Sequence, residues 1–275
     1  MVDRIQTLIE LALQEDIGSG DITTEAIFGT APISKKGIIG AKEPLVVAGL
    51  EIARRVFLMV DEKIIWKELC REGESVPQGG AIAKVSGSLQ SLLKAERTAL
   101  NFLQHLSGIA TLARTFVEKV KKYPVQILDT RKTTPGMRAL EKHAVRAGGG
   151  KNHRLGLYDR FLIKDNHLKG CSLAEAIGKA KAKNKNKVSI EVEIESIDQI
   201  EEAIGAGVDI LLLDNFSPRD LKKAVAQVAG RAKTEASGGI NFDNMVDYAK
   251  SGVDFISIGA LTHSAPAVDI SMEIG

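Results

Sequence analysis

The chain has 275 residues, which suits one large barrel or two domains at roughly 100–200 residues per domain. With 44% apolar and 26% charged residues, its composition is that of a globular protein and excludes disordered, collagen-like and disulfide-stapled classes. Cys70 and Cys171 form no Cys-x-x-Cys pair, so no structural zinc site is expected. No apolar run reaches about 18 residues, and the first residues are charged, so we expect a cytoplasmic protein without a membrane segment.

The charge is nearly balanced overall but uneven along the chain. The formal net charge of +2 argues against a general nucleic-acid or membrane binder. Residues 131–164, however, contain nine Lys and Arg against two acids. This basic window predicts an anionic ligand.

The first half of the chain predicts a short helix, a small sheet and one or two long helices. Apolar residues at helical spacing predict a helix over 3–14. Short apolar runs separated by turns predict antiparallel strands at 38–41, 44–48, 64–66 and 81–85. A helical pattern then covers 88–122, with Gly108 as a possible break.

After residue 124 the pattern changes to short strands alternating with amphipathic helices. The predicted strands are 125–128, 161–163, 188–194, 209–213, 232–235 and 254–258. The ends of the last four strands lie 21 to 22 residues apart, which indicates a βα repeat and a parallel sheet. No G-x-G-x-x-G follows any strand, so a closed barrel is favoured over an open doubly wound sheet. Only six good strands are found, so a full eight-stranded barrel is not predicted.

Acids at two of these strand ends predict a metal site. Asp214 follows three leucines, and Glu193 stands between Val192 and Ile194. Buried carboxylates need a cation, and two hard oxygen ligands suit Mg²⁺ held together with a phosphate. The alternative is a structural ion pair with a nearby Lys. Glu191 shares the strand and face of Glu193, so spacing alone does not choose between them.

Glycines after the last two strands predict a phosphate site. Ser237-Gly238-Gly239 precedes a stretch at Asn241 that has the pattern of a helix start. Such a turn exposes backbone N–H groups to an anion. Gly259 ends the next strand, and paired glycine loops of this kind bind phosphate in many barrels.

The basic window supplies side chains for the same end of the barrel. Arginine binds carboxylates and phosphates through two parallel hydrogen bonds, whereas lysine acts as a mobile charge. The candidates are Arg131, Lys132, His153, Arg154 and Lys164. The remaining basic residues at helical spacing, Arg138, Lys142 and Arg146, are predicted to form a solvated face.

Together these motifs resemble one family. LDTRKTTPGMRALEKHAVRAGGGKNHRLGL (128–157), then IKDNH, EVEIES, LLLDNF, EASGGI and GALTHSAP, closely resemble quinolinate phosphoribosyltransferases. EDIGSGDIT (15–23) and ERTALNFLQHLSGIAT (96–111) extend the resemblance over nearly the whole chain. It implies an N-terminal α/β sandwich domain over 1–108, which may receive the C-terminal tail, and an incomplete parallel α/β barrel over 109–275. It also implies a homodimer with shared active sites.

The resemblance also implies roles for individual residues. The quinolinate-binding positions match Arg131, His153, Arg154 and Lys164, with Arg97 coming from the other subunit. Lys132 matches a lysine near the reacting centre, and Glu193 and Asp214 match acids near Mg²⁺ and ribose. The 5′-phosphate loops match Ser237, Gly238, Gly239 and Gly259.

The implied enzyme is a decarboxylating pentosyltransferase of NAD biosynthesis. It joins quinolinate to 5-phosphoribosyl pyrophosphate (PRPP) and gives nicotinate mononucleotide, pyrophosphate and CO₂, with Mg²⁺ and no organic cofactor. One alternative is a related barrel transferase for another nitrogen base, although such an enzyme should lack the arginine-rich pocket. An RNA-binding module is disfavoured, because aromatic residues are only 4% of the chain and stacking on bases needs them.

Overall fold

A computed structural model of the chain describes residues 4–29 and 31–275. Residue 3, where the first predicted helix begins, lies outside the described residues. The chain forms two compact units. One comprises residues up to Arg114 with Pro135–Gly149 and Ala265–Gly275; the other comprises Thr115–Thr134 and Gly150–Ser264. The predicted domain division after residue 108 stays a prediction.

The helices and strands follow one another in this order. The first half contains α1 (Arg4–Ile17), α2 (Ile22–Phe28), β1 (Ser34–Ala41), β2 (Leu45–Val46), α3 (Leu50–Val60), β3 (Ile65–Glu68), β4 (Ser75–Val76), β5 (Ala81–Ser88), α4 (Leu89–Val120), β6 (Gln126–Leu128) and α5 (Arg138–Ala147). The second half contains β7 (Phe161–Ile163), a 3₁₀ turn (Asp165–Gly170), α6 (Leu173–Lys183), β8 (Ile190–Ile194), α7 (Gln199–Gly205), β9 (Ile210–Asp214), α8 (Pro218–Val228), β10 (Lys233–Ser237), α9 (Met245–Ala249), β11 (Phe255–Ser257), α10 (Ala260–His263) and β12 (Ile270–Ile274).

The first unit is built on an antiparallel sheet. Its strand order is β12-β1-β5-β3, and β2 pairs separately with β4. The last strand of the chain pairs with β1 in antiparallel register, from Gly37↔Ile274 to Ala41↔Ile270. The predicted antiparallel strands are therefore present, and β12 is added to them.

The second unit is a parallel sheet of six strands in the order β6-β11-β10-β9-β8-β7. In this order each of the strands β7 to β10 lies beside the next one along the chain, and β6 lies beside β11. The buried faces are aliphatic, as in β9, where Leu211 and Leu213 have no exposed surface. The predicted fold class, an N-terminal α/β part with an incomplete parallel barrel, is confirmed.

The long helix α4 is continuous, so the predicted possible break at Gly108 is wrong. A Cβ atom at Gly108 would lie 2.0 Å from the carbonyl oxygen of Pro266. The glycine is needed because another backbone approaches the helix closely, not because the helix ends.

Helix α5 corrects a second expectation. Lys142 is only 3% exposed and Glu141 is fully buried, so the predicted solvated face is wrong for Lys142. The Nε2 atom of His105 lies 3.0 Å from Oε1 of Glu141, which gives the buried carboxylate a partner. Arg146 remains exposed.

A short helix near the start of the chain adds to the predicted elements. Helix α2 was not predicted; the Asp21 side chain accepts a hydrogen bond of 3.0 Å from the Thr24 N–H and caps the helix.

Within the part of the chain that the structure describes, no helix is both long and apolar enough to cross a membrane.

Candidate active site

The carboxyl ends of the parallel strands surround one cavity. Its volume is about 760 Å³, which is the size of a small-molecule site. Because parallel strands all end at the same edge, residues far apart in sequence meet there. The predicted site residues that line this cavity are Arg131, Lys132, His153, Arg154, Lys164, Asp214, Ser237, Gly238, Gly239 and Gly259.

Arg154 is the most buried cation of the cavity wall. It is 9% exposed, and its Nε is buried without a hydrogen-bond partner among the described residues. Burial, together with the nearby charge of Arg131, lowers the pKa of Arg154 below its usual value. A buried donor without a partner is costly, so this side chain is arranged to receive an anion.

Lys164 follows β7 and pairs with Glu193, which points from the neighbouring strand β8. In this structure Glu193 therefore forms an ion pair with a lysine, which is the contact that the alternative to a metal site predicted. The Lys164 side chain keeps 43% of its surface exposed. The lysine thus borders both the cavity and one of the two candidate metal-binding acids.

Asp214 ends β9 at a tight corner of the cavity. Its Oδ2 accepts a 2.6 Å hydrogen bond from the Asn215 side chain, and Asn215 has a left-handed backbone with φ of +57°. A Cβ atom at Gly238 would lie 2.1 Å from Oδ1 of Asn215. Gly238 is therefore required for the loop after β10 to pass this close to Asn215, the neighbour of Asp214.

Glu193 and Asp214 lie on the same face of adjacent strands. Glu193 pairs with Leu212, two residues before Asp214 on β9. Both residues thus lie on the same face of the sheet, although only Asp214 is among the residues that line the cavity. Carboxylate oxygens are the hard donors that Mg²⁺ prefers, and Asp214 keeps an oxygen that accepts no hydrogen bond from Asn215. That the two acids share one Mg²⁺ stays a prediction.

Lys132 and Gly259 are held against each other. A Cβ atom at Gly259 would lie 3.1 Å from Cδ of Lys132, and the Thr262 hydroxyl donates a 2.7 Å hydrogen bond to the Lys132 carbonyl. Helix α10, which follows β11, therefore fixes the backbone of Lys132. The predicted helix start at Asn241 is wrong: α9 begins at Met245, because the Asn241 side chain accepts the Asp243 and Asn244 N–H groups and forms a turn.

A buried cluster beside the cavity was missed by the sequence analysis. His153, Glu191 and Glu235 have side-chain ligand atoms that all lie within 4.8 Å of one another. Glu235 lines the cavity, and neither glutamate has exposed surface. Glu191 and Glu235 carry the same sequence signal as Glu193, since each is an acid inside an otherwise buried strand.

Arg97 is the predicted site residue that belongs to the first unit. It lies on α4 and is exposed. It is not among the described residues that line the cavity.

Comparison with known proteins places the chain in one family. Residues 21–107 match the family described as quinolinate phosphoribosyl transferase, N-terminal domain, and residues 109–273 match its C-terminal domain. The chain is 43% identical over 272 residues to a probable nicotinate-nucleotide pyrophosphorylase (carboxylating) of Bacillus subtilis, covering 98% of this chain and 93% of that protein. It is 38% identical to the nicotinate-nucleotide pyrophosphorylase (carboxylating) of Mycobacterium leprae, covering 99% and 98%.

Solved structures agree. The nicotinate-nucleotide pyrophosphorylase of Francisella tularensis has a TM-score of 0.95 and 40% identity, covering 99% of this chain and 96% of that one. The fold and the cavity at its strand ends thus define a barrel phosphoribosyltransferase, which confirms the predicted enzyme class. The chain belongs to the quinolinate phosphoribosyltransferase family, as its motifs predicted.

Proposed function

We propose that this chain transfers the 5-phosphoribosyl group of PRPP to quinolinate with loss of CO₂, giving nicotinate mononucleotide and pyrophosphate for NAD biosynthesis. The observation that carries this proposal is the content of one cavity: two arginines and two lysines, glycine loops, and an acid at the end of β9. That set suits a dicarboxylic acid, a phosphate and a cation together. The names of the relatives point to the same reaction.

Quinolinate would bind on the arginine side of the cavity. Arg154 and Arg131 offer planar donors that match carboxylates, and Lys164 adds a mobile charge. His153, which is 8% exposed, would complete the wall of this acid pocket. Two carboxylates of the substrate would then replace the water and the partial pairing that these cations have without it.

The phosphoribosyl group would bind on the glycine side. The loops of Ser237, Gly238 and Gly239 and of Gly259 present backbone N–H groups to the 5′-phosphate. Lys132 lies between the two sides, against Gly259. Its ammonium would neutralise the departing pyrophosphate near the reacting centre.

Mg²⁺ is the proposed metal, held by Glu193 and Asp214. When bound, it would neutralise charge on the pyrophosphate and help it to leave. The two carboxylates themselves stabilise the positive charge that develops on the ribose ring as the bond to pyrophosphate breaks.

The bond changes balance without an organic cofactor. The C–O bond to pyrophosphate breaks and its electron pair leaves with pyrophosphate, while the pyridine nitrogen lone pair forms the new C–N bond. The ring nitrogen is then cationic, so when the C2 carboxylate leaves as CO₂ the electron pair left on C2 is stabilised until a proton adds there. The chain's contribution is to hold both substrates and balance their charges.

The working unit is proposed to be a cytoplasmic homodimer in which Arg97 of one subunit enters the cavity of the other. An exposed arginine on α4 is suited to such a role, because it is available to a second copy. The third cationic donor would then reach quinolinate only in the dimer.

The test is quinolinate-dependent release of pyrophosphate from PRPP, with nicotinate as the control acid. We expect pyrophosphate and CO₂ in equal amounts with quinolinate and a rate lower by roughly 10⁴-fold with nicotinate, since a site built for a second carboxylate rejects an analogue that lacks it. Comparable kcat/KM values for the two acids would instead support the transferase for another nitrogen base.

A further inference from the structure

The cluster of His153, Glu191, Glu235 and Arg160, which we call the acidic floor, has no role in the reaction proposed above apart from His153. Nε2 of His153 lies 3.1 Å from Oε2 of Glu191 and 3.6 Å from Oε1 of Glu235. Nη1 of Arg160 lies 3.1 Å from the same Oε2 of Glu191. Glu191 on β8 and Glu235 on β10 are separated by one strand, so the floor spans the width of three strands.

The charges of its members determine what this cluster can bind. Two carboxylates and a histidine form a set of metal-ligand types, but Arg160 already balances Glu191. Burial and the charge of Glu191 raise the pKa of Glu235 to about 8, so Glu235 carries a proton at neutral pH. Arg160 and this proton together balance the charges of the two glutamates.

The floor is connected to the acid pocket through both ring nitrogens of His153. Nδ1 accepts a 2.7 Å hydrogen bond from the Arg154 N–H, which leaves Nε2 as the protonated nitrogen that faces the two glutamates. Arg154 also contacts the floor directly, because its Nη1 lies 3.5 Å from the Arg160 carbonyl. The His153 ring thus bonds to the main chain of Arg154, while the Arg160 carbonyl contacts the Arg154 guanidinium.

We propose that Glu235, acting with Glu191, is a positioning residue: the two carboxyl groups beside Nε2 set where the His153 ring lies in the wall of the acid pocket, next to the Arg154 main chain to which the ring is bonded. This inference rests on the proposed roles of His153 and Arg154. The groups that face Glu235 are His153, Glu191, Arg160 and the Ser257 side chain, and neither carboxyl oxygen of Glu235 has a hydrogen-bond partner among the described residues. Ionisation of Glu235 places a second negative charge beside Glu191 and draws the His153 ring away from its bond with Arg154. Quinolinate binding should therefore weaken as the pH rises through about 8.

The experiment compares pH profiles of the wild type and Glu235→Gln, which is neutral at every pH. In the wild type, kcat/KM for quinolinate should fall by about tenfold per pH unit above the pKa of Glu235, as for loss of one proton from the free enzyme. In Glu235→Gln this fall should be absent over the same pH range. The KM for PRPP should not follow the same curve, because the proposed phosphate contacts are backbone N–H groups, which do not titrate.

Further variants separate positioning from other causes. The exposed Glu201, which pairs with Arg231, provides the matched control: Glu201→Gln should keep the wild-type fall. Infrared difference spectra between about pH 7 and pH 9 should show loss of the C=O band of a protonated carboxyl in the wild type and not in Glu235→Gln. If that variant does not fold, Glu235→Asp, whose shorter carboxyl lies further from His153, should raise the KM for quinolinate at neutral pH and leave that for PRPP unchanged.

The outcomes also distinguish this inference from the proposed site. An unchanged alkaline fall in Glu235→Gln, a parallel change in the KM for PRPP, or no protonated carboxyl at pH 7 in the wild type would each overturn it. If Arg154→Ala leaves the KM for quinolinate unchanged, the proposed acid pocket itself is wrong.

Discussion

At the scale of single residues, Arg154 combines burial with a donor that has no hydrogen-bond partner among the described residues. We predict that Arg154→Ala lowers kcat/KM for quinolinate by about 10² to 10³, since loss of one partner of a buried charged pair costs 2–5 kcal/mol. Because nicotinate lacks the second carboxylate, its kcat/KM should fall much less. Steady-state rates with both acids measure the effect.

The control for this prediction is Arg231→Ala, which removes an exposed arginine of the same unit that pairs with Glu201. It should leave both rates near those of the wild type, because exposed pairs contribute about 0–1 kcal/mol. An equal loss for quinolinate and nicotinate in Arg154→Ala would contradict a role at the second carboxylate.

Asp214 permits a second prediction at this scale. Asp214→Asn should raise the Mg²⁺ concentration for half-maximal activity by about tenfold or more, because one of two proposed oxygen ligands loses its charge. The free energy of unfolding should change by no more than about 0.5 kcal/mol or rise slightly, since one of two like charges is removed.

Magnesium titrations and thermal melts of Asp214→Asn test this, with Asp247→Asn as the control. Asp247 is an exposed acid paired with Lys250 and should change neither measurement. A large loss of stability with normal magnesium dependence would show that Asp214 is a structural residue.

The residues of the site were predictable to different degrees. Asp214 and the glycine loops stand directly at strand ends, where short polar motifs follow apolar runs. Glu191 and Glu235 lie deeper within β8 and β10, and an isolated acid in a strand does not reveal which partners surround it. Their partner Arg160 comes from a loop, so their cluster is a product of tertiary packing.

At the scale of elements, two helical glycines provide a matched comparison. Gly108→Ala in α4 should destabilise the protein by about 1–3 kcal/mol, because the added Cβ meets a backbone oxygen at 2.0 Å and overpacking outweighs the gain in helix propensity. Gly178→Ala in α6, where nothing lies within 4 Å of the added Cβ, should instead stabilise it by up to about 1 kcal/mol.

Denaturant unfolding of the two variants tests this pair. A destabilised Gly178→Ala, or a Gly108→Ala as stable as the wild type, would contradict the close approach of Pro266 to α4 as the reason for the glycine.

The elements differ in how well the sequence predicts them. The six parallel strands carry strong apolar runs, so the pattern predicts how many strands there are and where each lies along the chain. Helix α2 has only seven residues and exposes Ile22 and Ile27, so it lacks an apolar face that repeats over several turns. The continuity of α4 through Gly108 depends on a contact with residues more than 150 positions away, which no local pattern contains.

At the scale of the whole molecule, the proposed shared active site predicts complementation between inactive chains. Arg97→Ala and Lys132→Ala should each be inactive as homodimers. In a mixed dimer, the cavity with an intact Lys132 would receive the intact Arg97 of the other chain, so one of two sites is restored. Random exchange of equal amounts should give about a quarter of wild-type activity.

Subunit exchange must be verified independently, for example by tagging one chain and isolating mixed dimers. Mixed dimers without activity would contradict the shared site. A monomeric wild type that is fully active would contradict the proposed homodimer.

The pairing of β12 with β1 has a consequence for synthesis of the chain. Ala41 and its partner Ile270 are separated by 229 residues, and at about 5–20 residues per second the ribosome needs roughly 10–50 s to make the intervening segment. Throughout that interval one edge of β1 has no strand to pair with, and an open edge is a template for other chains. The growing polypeptide is thus more exposed to edge-to-edge association than the finished protein, in which β12 covers that edge.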